Sequence, residues 1–348
     1  MVTLSTQIIE LKKQFPLQIS RGTSTGSRNV FVTATDGEHT GIGECAPGTG
    51  EDMDLAAKAV DQIAALNKAG LYDLAIQEVF TKMEHMEMDR PAMAGVDIAL
   101  WDLLGKQANL PLYKMFGLGK PVNPTSITIG INPPDVIAER VPQIIADWTQ
   151  WQAKALKVKL GNPEGTEADK AAYLAASEAA APYGLDLRVD ANGGWTAKKA
   201  IEMIAWLAKH GCSYVEQPLP KGDEDALVEV FKRRKLPIFL DESIHTSKDV
   251  AKYADRCDGV NMKLMKSGGL TEALRVVATA RAHGLRTMIG CMGESSVAIA
   301  AGCSIGAHMD YIDLDAHFNL DPDPAHGTKL VAGVVVPTNH AGHGAYLE

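Results

Sequence analysis

Three acids stand one repeat apart in the second half of the chain: Asp190, Glu216 and Asp241, separated by 26 and 25 residues. Each closes a short apolar run, in Leu187–Asn192, Tyr214–Gln217 and Ile238–Glu242. A lone acid at a strand end is most often a cap or turn residue. Three in register with a repeat are hard to assign to chance. Three carboxylate oxygens with room for further ligands suit Mg²⁺. Lysines accompany them. In Leu156-Lys157-Val158-Lys159-Leu160 the residue types alternate, so Lys157 and Lys159 project from the same side of a strand. Lys263 falls in another apolar run, Gly259–Leu264, while Lys266 is expected to point elsewhere. A free lysine titrates near ~10.4. Neighbouring cations lower that value and make it a base near neutrality. The set could remove a weakly acidic proton beside a carboxylate held by the metal.

A parallel barrel would bring these residues together. From Thr125 onward, strands are expected at Ser126–Ile131, Ala155–Leu160, Leu187–Asn192, Tyr214–Gln217, Ile238–Glu242, Gly259–Leu264, Thr287–Cys291 and Tyr311–Asp315. Helical stretches such as Ala168–Ala181, Ala197–His210 and Glu272–His283 separate them. Eight strands and seven helices at a spacing of roughly 25–30 residues read as α/β units. The fold class is a modified (β/α)7β TIM-type barrel, whose active site lies at the C-terminal ends of the strands. On that ring Lys159 and Lys263 sit four strands apart, on opposite walls. A carbon held between them can lose a proton to one face and gain one on the other, which inverts a stereocentre.

The first ~120 residues look different and read as an α+β capping domain. Ile8 to Phe15, Val30 to Thr35 and Gly41 to Cys45 alternate as strands, with a hairpin signal at Asp36-Gly37. The polar stretch Ser20 to Ser27 suits a mobile flap, and Ala46 to Asp52 a second loop. Helical patterns follow at Leu55–Leu66, at Ala75–His85 and in one long element from Pro91 to Phe116. Glu51, Asp52 and Asp54 are expected to serve the N-terminus of the helix after them. The division expected is 1–122 for the cap, 123–318 for the barrel and 319–348 for a tail that returns to the cap.

Composition narrows the function. With 348 residues, 46% hydrophobic and 22% charged, the chain has material for a large core and a smaller domain. A net charge of −9 argues against nucleic-acid or anionic-membrane partners. No apolar run approaches the ~18–20 residues of a membrane span. The five cysteines show no paired spacing, so reduced thiols and a cytoplasmic location are expected. Gly41-Ile42-Gly43 lacks the third glycine of a dinucleotide fingerprint. A symmetric homo-oligomer is expected on general grounds.

The motifs together resemble the enolase superfamily over nearly the whole chain. They are Ala94–Asp102, Lys157-Val158-Lys159, Asp190-Ala191-Asn192, Glu216-Gln217-Pro218, Asp241-Glu242-Ser243, Asn261-Met262-Lys263 and Gly290-Cys291-Met292. The resemblance implies an enediolate held by Mg²⁺, with Asp190, Glu216 and Asp241 as its ligands and Lys159 and Lys263 as acid and base. Lysines on strands two and six, with no histidine after strand seven, resemble the muconate-lactonizing subgroup rather than a mandelate racemase-like enzyme. Asp313-Leu314-Asp315 is similar to the paired acids with which dipeptide epimerases hold a substrate's N-terminal ammonium. That implies a dipeptide substrate inverted at its C-terminal residue. Lys157, Thr128 and the backbone of Cys291–Gly293 would also touch it. Side-chain size at Gly293 could tune specificity. Arg21 resembles the arginine that pairs with a glutamate side chain, which implies an L-Ala-L-Glu type of substrate. The alternative within the subgroup is a cycloisomerase, an o-succinylbenzoate synthase or an N-acylamino acid racemase.

Overall fold

A computed structural model describes residues 2–48, 54–71, 74–147 and 152–348. The chain opens with an antiparallel sheet of β1 (Thr3–Ile19), β2 (Gly22–Thr35) and β3 (Thr40–Cys45), in that order. Residues 20–27 are not a loose flap. β1 and β2 stay paired to Ile19↔Gly22, which leaves only Ser20 and Arg21 in the turn. Ser24 and Ser27 line a cavity while Thr23 and Thr25 are exposed, so neither face is apolar and polarity alone misreads the strand as loop.

Helices α1 (Leu55–Lys68), α2 (Ile76–His85) and α3 (Arg90–Gln107) pack on this sheet. Asp54 accepts a bond from the Ala57 amide at 3.1 Å and so caps α1, as expected; Glu51 and Asp52 lie outside the described residues. β3 runs tight against α3. A Cβ on Gly43 would strike the Gly95 carbonyl and the Ala99 amide, so this glycine serves helix–sheet packing. The long helix expected over Pro91–Phe116 is broken. Asn109 takes a left-handed φ of 51°, Pro111 cannot donate, and a short α4 (Leu112–Met115) restarts beyond them.

The barrel follows as β4 (Ser126–Ile129), α5 (Pro134–Asp147), β5 (Ala155–Lys159), α6 (Thr166–Ala180), β6 (Asp186–Asp190), α7 (Ala197–Leu207), β7 (Cys212–Glu216), α8 (Leu227–Arg233), β8 (Ile238–Leu240), α9 (Ser247–Tyr253) and β9 (Gly259–Met262). It continues with α10 (Leu264–Ser267), α11 (Leu270–Ala282), β10 (Arg286–Ile289), α12 (Ser296–Cys303) and β11 (Tyr311–Ile312). The eight strands are parallel neighbours in sequence order, and a bridge between Thr125 and Ile312 joins the last to the first. No eighth regular helix follows; a 3-10 turn, Ala316–Asn319, stands in its place. One helix more than expected lies between β9 and β10, because Gly268 and Gly269 at φ 87° and 113° split α10 from α11.

Apolar side chains between strands and helices form the main core. Inside the barrel, Tyr214, Phe239, Met288 and Tyr311 plug the lower end. The Arg188 guanidinium covers the Tyr311 ring at 5.1 Å. The polar layer therefore rests on a filled floor.

The tail forms β12 (Ala325–His326), β13 (Thr328–Val331), β14 (Val334–Pro337) and β15 (Tyr346–Leu347). Val335 joins the barrel core, while Ala325 and Ala345 pack with Phe31 of the cap and Val297 of α12. The fully buried Asp102 of α3 ties these parts together. It accepts from the Ile42 amide of β3 and the His343 amide of the tail, both at 2.9 Å, and pairs with Lys106 at 2.7 Å. Asp102→Ala would strand two backbone donors. We expect a loss of roughly 2–4 kcal/mol in chemical denaturation; a loss under about 1 kcal/mol would show that the tail docks without it.

Candidate active site

Strand ends deliver the polar layer. β5 is buried along its length, and its alternation sends Lys157 and Lys159 into the barrel. β6, β7 and β8 end at or just before Asp190, Glu216 and Asp241, all buried. One carboxylate oxygen from each lies within 4.8 Å of the other two. Glu216 Oε2 is buried without a hydrogen-bond partner of good geometry, although the Lys157 ammonium lies 2.8 Å away. Three converging carboxylates, one with an oxygen that lacks a good hydrogen bond, fit a divalent cation with hard oxygen preferences.

The lysines hold these acids. Lys159 Nζ lies 2.6 Å from Asp190 Oδ2, and Lys263 Nζ 2.8 Å from Asp241 Oδ2. Lys157 is fully buried beneath, 2.5 Å from Asp313 Oδ2 and 3.8 Å from Asp190. Burial opposes its charge, but Asp313, Glu216 and Asp190 outweigh that and raise its pKa well above the usual lysine value. Lys263 is shifted the same way: burial opposes, and Asp241 and Glu216 prevail. Burial pushes Glu216 up to about 8, with repulsion from Asp190 adding to it. Asp241 is held well below the carboxylate range, since Lys263 and Lys266 overcome its burial.

Lys266, which the sequence pattern sends elsewhere, faces in. It is 6% exposed and bonds the Asp241 carboxylate and carbonyl, and the Asn261 carbonyl at 3.1 Å. The reason is the one-turn helix α10. Lys263 caps it and Lys266 follows three residues on, which places both on one face. An extended strand reading cannot show this. Two motif residues that carried no assigned role act as supports: Asn261 donates to Glu216 Oε1 at 2.8 Å, and Gln217 Oε1 accepts from the Asp241 amide at 2.9 Å.

A cavity of about 350 Å³ opens above this layer. Lys159, Lys263, Asp241, Thr128, Cys291, Gly293, Asp313, Asp315 and Arg21 line it. Lys157, Asp190 and Glu216 sit below its surface. Lys159 and Lys263 rise from β5 and just past β9, four places apart in the ring. Asp315 accepts from the Thr128 amide at 2.8 Å, and burial with repulsion from Asp313 raises it to about 6. Asp313 Oδ1 is buried and unpartnered, so the pair has acceptor capacity to spare. A Cβ on Gly293 would make ordinary contact with Ser27 Oγ at 3.4 Å, so there is space for a larger residue. Arg21 is already engaged, at 2.6 Å from Glu242 Oε1 and 2.7 Å from the Asn192 carbonyl.

Residues 2–117 match the mandelate racemase / muconate lactonizing enzyme N-terminal domain, and residues 141–347 match the enolase C-terminal domain-like family. The chain belongs to the enolase superfamily. It is 52% identical to a hydrophobic dipeptide epimerase of Roseobacter litoralis, over 98% of this chain and 97% of the relative. It is 49% identical to another from a Flavobacteria bacterium, with the same coverage. A dipeptide epimerase of Enterococcus faecalis, solved with Mg and L-Leu-L-Tyr, superposes with a TM-score of 0.90 at 32% identity, over 99% of this chain and 98% of that one. Among the described residues no helix is long and apolar enough to cross a membrane.

Two expectations follow. Mg²⁺ should raise the melting temperature, because a ligand of the native state stabilises by ~2.7 kcal/mol at a hundredfold excess over its Kd. Asp190→Asn with Asp241→Asn should abolish the shift; an equal shift in that variant would place the ion elsewhere. The second concerns Asp315, whose folded-state pKa is raised to about 6. Its ionised form therefore costs stability, a cost absent below about pH 4 and complete above the folded value. Asp315→Asn should gain stability over the parent as pH rises from about 4 to 7 in denaturation series. A difference independent of pH would contradict the shift.

Proposed function

We propose that this chain is a Mg²⁺-dependent dipeptide epimerase that inverts the α-carbon of the dipeptide's C-terminal residue. The observation that carries the reading is the placement of Lys159 and Lys263 on opposite walls of one cavity, each beside a carboxylate of the triad. Asp190, Glu216 and Asp241 would hold the ion. When bound, it supplies positive charge that stabilises the charge developing on the substrate carboxylate as the α-proton leaves.

The chain's own groups do the rest. One amine, neutral once a bound ion would offset the acids that raise it, takes the α-proton from its face, and the other, protonated, gives one to the opposite face. The two roles exchange for the reverse reaction. Lys157, fixed between Asp313 and Glu216, keeps a permanent positive charge under the reacting end. Asp313 and Asp315 would grip the N-terminal ammonium, and their surplus acceptor capacity supports that part. A substrate without an ammonium, as for a cycloisomerase or an acylamino acid racemase, would leave Asp315 and the free Asp313 oxygen without a cation.

Apolar side chains fit better than glutamate. Phe15, Leu17, Ile19, Ile129, Ile144 and Met292 line the cavity. Arg21, the residue whose resemblance implied L-Ala-L-Glu, spends its guanidinium on Glu242 and Asn192. The names of the two relatives near 50% identity support the apolar preference. The same proposal places the enzyme in the cytoplasm, supported by five unpaired thiols, and takes it as a homo-oligomer on general grounds. It also divides the chain at 122 and 318, supported by the tail's packing on Phe31 and Asp102.

Lys159→Ala and Lys263→Ala should each lower epimerisation of L-Ala-L-Leu by about 10³-fold or more. Each should still exchange the α-proton of one diastereomer with D₂O, a different one for each variant, by NMR. Equal residual epimerisation in both would falsify the two-base scheme.

A further inference from the structure

The cap hairpin carries a wide bulge. Lys12 pairs with Gly26 and Leu17 with Ser24, so Lys13 to Pro16 stand opposite Thr25 alone. Bulges re-aim side chains and recur beside active sites. Here Lys13, Gln14, Phe15 and Pro16 all line the cavity. The bulge is anchored over the end of the barrel's last strand. The Phe15 amide and carbonyl both bond the Asn319 side chain at 2.9 Å, and the Asp321 amide donates to the Lys12 carbonyl at 2.9 Å. Lys13 itself bridges Leu320. This stretch is a fixed wall.

On that wall Lys13 has no anion. Its ammonium donates to Ser24 Oγ at 2.6 Å and has no carboxylate within ion-pair reach among the described residues. Among the described residues, every other cation of the cavity except Arg140 is ion-paired. Arg21 is bound to Glu242, Arg140 stacks on the Phe15 ring at 5.1 Å, and Lys159, Lys263 and Lys266 sit on Asp190 and Asp241. Burial holds the Lys13 pKa below the usual lysine value. A half-buried ammonium without a counter-charge is costly, and a ligand carboxylate would offset that cost.

Its position says which part of a ligand it meets. Lys13 Nζ lies 3.9 Å from where a Cβ on Gly293 would be. The neighbouring Cys291 Sγ lies 3.9 Å from Asp315 Oδ1. Lys13 thus overlooks the β10–β11 sector, where Asp313 and Asp315 stand. A residue whose ammonium these acids hold would turn its side chain along the wall of Phe15 and Lys13.

We propose that Lys13 reads the charge of the side chain on the dipeptide's first residue, favouring a carboxylate over the matching amide and excluding an ammonium. This rests on the reading above, in which Asp313 and Asp315 hold the N-terminal end. Neutral apolar side chains lie against the wall without engaging Lys13. A basic one meets an unscreened like charge, which is discrimination by repulsion.

The test compares kcat/KM for L-Glu-L-Leu, L-Gln-L-Leu and L-Lys-L-Leu in the Mg²⁺-loaded enzyme and in Lys13→Met and Lys13→Arg. The parent should favour Glu over Gln by about fivefold or more, and Gln over Lys by about tenfold or more. Lys13→Met should bring all three within about threefold, and Lys13→Arg should keep the parent order. Ratios within one variant do not depend on the fraction folded, and Lys13→Gln substitutes if Lys13→Met does not fold. Identical ratios in the parent and Lys13→Met would overturn the role of Lys13 and leave the epimerase reading intact. A parent that epimerises none of these, nor L-Ala-L-Leu, overturns both.

Discussion

Asp190, Glu216 and Asp241 converge inside a barrel where no bulk water separates their charges, and the rest of the site answers that repulsion. Buried like charges are tolerated only when cations or protons intervene. Lys157 lies below, Lys159 to one side, and Lys263 and Lys266 to the other. Even so, Glu216 is pushed up to about 8 and keeps an oxygen without a good hydrogen bond. A divalent cation completes such a cluster. The groups that stabilise it are the groups a two-sided proton transfer needs, so one arrangement answers both demands.

The cap is coupled to this centre through buried polar locks. Glu44 of β3 accepts from the Ser295 and Ala298 amides at the start of α12 and from the Ser295 hydroxyl. Asn29 of β2 donates at 2.7 Å both to Glu44 and to the Gly293 carbonyl, which fixes the loop after β10. On another side, Asp97 accepts from the Thr271 amide and Trp101 donates to the Thr271 hydroxyl, both at 3.0 Å. With these contacts in place, the β1–β2 hairpin closes the barrel mouth as a wall of defined shape. Cap residues and barrel strand ends thereby line one cavity, with Lys159 and Lys263 on the barrel side.

What the sequence shows plainly are features that repeat. The acids recur at the length of one βα unit, and Lys157 and Lys159 follow the strand period, so their convergence needs only the barrel's topology. What it hides depends on pairing between distant segments. Lys266 turns inward because two glycines cut a single turn of helix out of a longer pattern. The Ser20–Ser27 stretch reads as loop because its side chains are polar, yet its backbone completes a hairpin. The bulge at Lys13–Pro16 exists only in the register of β1 on β2. Arg21 is visible as a loop cation, but its partner Glu242 lies 221 residues away.

The direct test of two amines acting on opposite faces is where the proton goes during the first turnovers. L-Ala-L-Leu would be incubated with the Mg²⁺-loaded enzyme in D₂O, and the α-position followed by mass spectrometry in substrate and product separately. With two amines, the new diastereomer should carry deuterium from the earliest time point, while remaining substrate stays protonated. Early product that retains the substrate's own proton would mean a single amine serves both faces, and would contradict the two-amine scheme.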